Sequence, residues 1–116
     1  TVDQRTSFAD GDVRSTIPRF TEENREANHA LVTRIATVAE TRGATPGQVA
    51  LAWLLAQHPW IVPIPGTRRV ARIEENARST AVALSADDLA DLDTLARSVG
   101  VHGDRYNAVH MGYVGR

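Results

Sequence analysis

The chain's 116 residues suffice for one small domain, and an apolar content of 42% sets it apart from compositionally disordered sequences. A formal net charge of -1 argues against strong attraction to nucleic acid or an anionic membrane. With no cysteine, disulfide scaffolds and thiolate metal sites are excluded.

All 13 basic side chains are arginine, so the chain holds no lysine. The longest apolar run, Val49 to Ala56, falls far short of the ~20 residues that a bilayer requires. No charged stretch followed by an apolar one opens the sequence, so no signal peptide is expected. A start at Thr1 fits either a natural terminus after methionine removal or a fragment.

Residues 1–20 lack a sustained period of 2 or 3.6, and Gly11 and Pro18 mark a long loop. Two readings stand for it, a functional loop and a frayed terminus. From about 22 to 42 the pattern turns helical, with Leu31, Ile35, Val38 and Ala39 as its stripe. Gly43 supplies a left-handed cap. Thr45-Pro46-Gly47-Gln48 then combines a capping residue, a proline in the first turn and a capping-box partner. The helix it opens, about 46–57, is apolar on nearly all sides, which predicts cover over most of its surface.

Trp60-Ile61-Val62-Pro63-Ile64 reads as a short buried strand, although Pro63 cannot donate to a ladder. A turn at 65–67 leads to a helix over about 69–79 with Val70, Ile73 and Ala77 on one face. The last clear helix, about 85–98, opens at Ser85. Leu84 and Leu89 are placed as a hydrophobic staple, and Leu89, Leu92, Leu95 and Val99 form its stripe. The tail, 100–116, reads as a loop. A single strand among helices has no hairpin partner, and a buried strand must satisfy its N–H and C=O groups on neighbours. Strand alternating with helix points to a parallel sheet belonging to a larger fold.

The chemistry concentrates in IVPIPGTRRVARIEEN, residues 61–76. Gly66 leaves the backbone open to a ligand, and Thr67 offers a hydroxyl. The following helix start carries free N–H groups that favour a phosphate. Arg68 and Arg72, spaced one turn apart, can converge on one anion, while Glu75 and Asn76 can bond the amino edge of a purine. Plain solvated surface is the other reading of this charge cluster.

The segment TPGQVALAWLLAQHPWIVPIPGTRRVARIEEN resembles the C-terminal signature of the aldo-keto reductases, in the bacterial and plant-type branch with a Pro-Gly-Thr turn. FADGDVRSTIPRF and LSADDLADLDTL extend the resemblance on either side. It implies an α/β fold: the C-terminal third of a parallel (β/α)8 TIM barrel, with 60–64 as its last strand. All of 1–116 would then belong to that single barrel domain. It also implies NADP(H) as cofactor, bound by Pro65 and by Gly66, Thr67, Arg68 and Arg72, these four around the 2′-phosphate, with Glu75 and Asn76 at the adenine.

The implied activity is carbonyl reduction by hydride transfer to aldehydes or ketones, in a cytoplasmic enzyme. The implied partner is the missing N-terminal part of the barrel. No catalytic residue is assigned here: the family's Asp, Tyr, Lys and His set needs a lysine, and Tyr106 and Tyr113 have none beside them. The chain alone is therefore expected to be inactive. His29, His58, His102 and His110 show no metal-ligand spacing. Phe8, Arg14, Tyr106, His110 and Tyr113 either line a pocket or merely pack. The competing reading is a small non-enzymatic helical binding or interaction module.

Overall fold

A computed structural model of the chain describes residues 6–115, except for the side chain of Val99. Residues 1–5 of the expected opening loop, Arg116 of the tail and the Val99 position of the last stripe lie outside the described residues. The elements in chain order are α1 (Glu22–Thr41), α2 (Pro46–Gln57), α3 (Val70–Ala77), α4 (Ala86–Val99) and α5 (Ala108–Met111). Short 3-10 turns cover Val13–Thr16, Pro18–Phe20 and Arg78–Ala81. Packing divides the chain into two units: residues up to Leu31 with those from Val99 onward, and Val32–Ser98.

Local chemistry sets the helix ends. Gly43 takes a φ of 59°, and the amides of Ala44 and Gly43 donate to the carbonyls of Ala39 (2.9 Å) and Glu40 (3.2 Å). That pair of bonds is a Schellman cap on α1. The capping box of α2 is complete. Thr45 Oγ1 accepts from the Gln48 amide at 3.3 Å, and Gln48 Oε1 accepts from the Thr45 amide at 2.9 Å. At the start of α4, Ser85 and Asp88 make the same reciprocal pair, at 2.8 and 3.2 Å.

In the Val32–Ser98 unit, Val38, Ala39, Val49 and Leu92 form the core, with Ile35, Ala44, Trp53 and Leu84 packed on it. Val49 is fully buried. Polar ties reinforce this packing. Trp53 Nε1 donates to Asp93 Oδ1 at 2.7 Å, Arg42 pairs with Asp88 at 2.5 Å, and Arg34 pairs with Asp91 at 2.5 Å. The other unit has its own fastenings. Asn28 and the backbone of His102 exchange two bonds, at 2.9 and 3.0 Å, and Arg19 Nε donates to the Gly103 carbonyl at 3.3 Å.

No β-strand occurs among the described residues. The expected α/β class, the barrel segment and the buried strand at 60–64 are all corrected by this: the described chain is helical and is not a piece of a TIM barrel. Residues 61–67 carry no regular secondary structure. Val62 is 78% exposed and Ile64 91%. A strand exists only through neighbours that take its backbone groups, and among the described residues no backbone bond joins residues 62–65 to another segment. Pro63 and Pro65 also remove two donors from it. The expectation that α2 would be covered on most sides fails for the same reason, since Leu54 and Leu55 remain exposed. So does the apolar face of α3, where Val70 and Ile73 face solvent.

Candidate functional site

The segment expected to hold the cofactor lies wholly in the Val32–Ser98 unit. Pro65, Gly66, Arg68 and Arg72 are exposed, while Thr67, Glu75 and Asn76 are half-buried. A Cβ added at Gly66 would meet no atom within 4 Å, so the fold itself does not require glycine there. Its missing side chain simply leaves the turn's backbone uncovered. Thr67 Oγ1 accepts from the Arg69 amide at 3.1 Å, which fixes the approach to α3.

Arg68 sits at a bend outside α3, two residues before its first residue. The one-turn spacing of Arg68 and Arg72 therefore does not place them on one helical face. Arg72 instead forms an ion pair with Glu75 along α3, its side chain 52% exposed. Glu75 is held twice more from α2: the Thr45 hydroxyl donates to its Oε1 at 2.8 Å, and Gln48 Nε2 donates to its backbone carbonyl at 2.9 Å. The Thr45 hydroxyl, followed by the Arg72 guanidinium, holds the Glu75 carboxyl below the usual carboxylate range. Thr45 and Gln48 thus do two jobs, capping α2 and fastening Glu75. The second was not legible, because 30 residues of chain separate Thr45 from Glu75.

Beside this cluster lies an open apolar groove of about 360 Å³, lined by Leu51, Leu55, Val62, Pro65, Thr67 and Asn76, among others. Thr67, Asn76, Ser79 and Thr80 supply its polar lining, while Arg68, Arg69 and Arg72 are exposed on the same segment. The arrangement can hold an anion at the arginines and a flat apolar or aromatic group in the groove.

The remaining candidates fall in the other unit. Arg14 and Arg25 stack over the Phe8 ring at 5.0 and 5.8 Å, and Phe8 meets Phe20 edge-on at 5.8 Å. Arg14 is also clasped by Asp12, whose carboxyl is lowered to about 2 by side-chain and backbone bonds from Arg14. His110 Nδ1 lies 2.8 Å from Asn107 Oδ1, Tyr106 lies beside the Arg105 guanidinium, and Tyr113 is exposed. Among the described residues, no group of three or more His, Asp and Glu side chains could hold a metal ion, and no helix is long and apolar enough to cross a membrane.

The sequence model of the aldo/keto reductase family matches residues 4–97. The chain belongs to that family. It is 43% identical over 99 residues to "Aldo-keto reductase yakc [NADP(+)]" of Schizosaccharomyces pombe, covering 85% of this chain and 29% of that protein. It is 38% identical over 98 residues to "Aldo-keto reductase str7" of Strobilurus tenacellus, covering 84% and 29%. The chain thus spans under a third of the length of these curated relatives. No solved structure matches it. The relatives' names are those of enzymes, so the family identity is that of a reductase of greater length. Membership does not restore the barrel. With helices alone among the described residues, a barrel-based NADPH-binding part that reduces aldehydes or ketones is not what this chain forms.

Proposed function

We propose that this chain is a non-enzymatic helical binding module, and that residues 65–76 take the phosphate-bearing end of an adenine dinucleotide. The carrying observation is the run of exposed arginines, Arg68, Arg69 and Arg72, that follows the uncovered backbone of Gly66, in a segment whose Pro65, Thr67 and Asn76 line an apolar groove. NADP(H) is the ligand we assign, supported by the NADP(+) in the name of the yeast relative. In this reading Pro65, Gly66 and Thr67 shape the approach. Arg68 and Arg72 take the 2′-phosphate, while Glu75 and Asn76 accept from and donate to the adenine edge. Turnover by the chain itself is not part of the proposal, because no lysine is available to activate a phenol or a carbonyl. Within a polypeptide of the relatives' length, we place carbonyl reduction in the portion outside these residues, and the location in the cytoplasm.

Calorimetric titration with NADPH and NADH, on the wild type and on Arg72→Ala, tests this. Arg72 is half exposed and already shares Glu75, so the loss for NADPH lies at the low end for a charged bond, about 1–2 kcal/mol. NADH, lacking the 2′-phosphate, loses little. Equal losses for both nucleotides, or no binding of either by the wild type, rule the assignment out.

A further inference from the structure

Glu75 is held from two helices at once. The Thr45 hydroxyl, at the start of α2, donates to its Oε1 at 2.8 Å, and the Arg72 guanidinium, on α3, pairs with its Oε2. Gln48 Nε2 holds the backbone carbonyl of the same residue at 2.9 Å. An ionised carboxylate only accepts, so the hydrogen of the first bond belongs to Thr45, whose oxygen in turn accepts from the Gln48 amide at 3.3 Å. The single proton of that hydroxyl is thus committed to Glu75. Both side-chain bonds keep the Glu75 carboxyl below its ordinary range, which leaves it an acceptor at neutral pH. The side chain is 22% exposed, and about two of its roughly four lone-pair positions stay open to a ligand. Asn76, next along α3, is not selective in the same way, because its amide offers an oxygen or an NH2 according to how it is turned. Discrimination between donors and acceptors at this end of the site therefore falls to Glu75.

We propose that Thr45 is a positioning residue for base specificity: by fixing the Glu75 carboxylate, it makes the site select adenine over a purine with a carbonyl at C6. This rests on the assignment of Glu75 to the adenine edge made above. Adenine presents an amino donor at C6, with the acceptor nitrogen N1 beside it. Hypoxanthine reverses the order, with a carbonyl acceptor at C6 and an N–H donor beside it, as guanine has. Both bases thus offer a carboxylate one donor, a single ring position apart. A carboxylate free to turn reaches either donor and hardly tells the bases apart. One fixed at the place of the amino group meets the hypoxanthine carbonyl oxygen instead, and both acceptors are left unpaired. A glutamate does not hold itself still, since its long side chain has many rotamers. Arg72 cannot supply the fixity, because it rides on the same helix and is 52% exposed. Thr45 can. It reaches Glu75 from a different helix, and its hydroxyl is itself fixed by the capping box of α2.

Calorimetric titration with NADPH, with its hypoxanthine analogue and with NADH reads base selectivity and phosphate selectivity separately. The wild type should prefer NADPH to the hypoxanthine analogue about tenfold, the low end for a hydrogen bond to a charged group. Thr45→Ser keeps the hydroxyl and should keep that preference. Thr45→Gly removes the hydroxyl while capping a helix about as well as threonine, and should bring the two Kd values close to parity. The preference for NADPH over NADH, which belongs to Arg68 and Arg72, should survive in both variants. Should Thr45→Gly lose its helical circular dichroism, Thr45→Asp takes its place. Aspartate caps at least as well, cannot donate to Glu75 and should likewise abolish the base preference. A wild type without base preference, or a Thr45→Gly variant that keeps it while both affinities fall equally, overturns the proposal and leaves the nucleotide assignment standing. A wild type that binds none of the three nucleotides overturns the assignment and the proposal with it.

Discussion

Two substitutions, Val49→Ala and Ile64→Ala, separate the helical architecture from the strand-based one that the family resemblance suggests. Val49 is wholly buried at the centre of the cluster formed with Val38, Ala39 and Leu92. Removing its two methyl groups forfeits transfer free energy of about 0.8 kcal/mol for each. The cavity left, roughly 50 Å³ if nothing relaxes, adds about 1 kcal/mol at some 24 cal/mol per Å³. A loss of about 2.5 kcal/mol follows, a large part of the stability of so small a core. Ile64→Ala removes more carbon, yet its side chain is 91% exposed, so the cost stays within about 0.5 kcal/mol. A buried barrel strand would instead lose about 2–5 kcal/mol at that position. Urea unfolding followed by far-ultraviolet circular dichroism gives both numbers. Equal and large losses at the two sites would refute the reasoning.

Two further outcomes follow from the geometry. Gly103 has a φ of 86°, and a Cβ there would come within 2.7 Å of the Arg19 Cα. Gly103→Ala should therefore destabilise its unit by at least the ~1–2 kcal/mol of a left-handed non-glycine residue. The neighbouring His102 amide, which donates to Asn28 Oδ1, should exchange its hydrogen faster; unchanged exchange would contradict the packing. Asp88 is held below the usual carboxylate range chiefly by the Ser85 amide, then by the Ser85 hydroxyl and Arg42. Its contribution is thus complete above the unfolded carboxylate pKa and is lost as pH falls through the lowered folded value. Asp88→Asn should flatten that acid limb of the stability curve, measured by thermal melts across pH. A limb of the same slope in the variant would assign it to other carboxylates.

What could be read from sequence was local. The Gly43 cap and the Thr45–Gln48 box depend on residues within one turn of each other, and their geometry follows from residue type. Ser85 and Asp88 repeat the box with an aspartate, at a spacing equally visible in the sequence. The run at 60–64 shows the opposite case. Its composition suits a strand, but strandedness is a property of pairs, and the partner's absence is written nowhere in the run itself. The apolar face of α3 misled in the same way, because a period of 3.6 predicts which residues share a face and not whether anything covers it. At the candidate site, the arginines and Gly66 were legible as residue types. The fastening of Glu75 by Thr45 and Gln48 joins positions that only the fold brings together.

A titration of the isotope-labelled chain with NADPH, followed by amide nuclear magnetic resonance, tests the proposed binding role most directly. Shifts should concentrate on Gly66, Thr67, Arg68, Arg72, Glu75 and Asn76, and be much smaller when NADH replaces NADPH. Shifts centred elsewhere, or a spectrum that NADPH leaves unmoved, would contradict it.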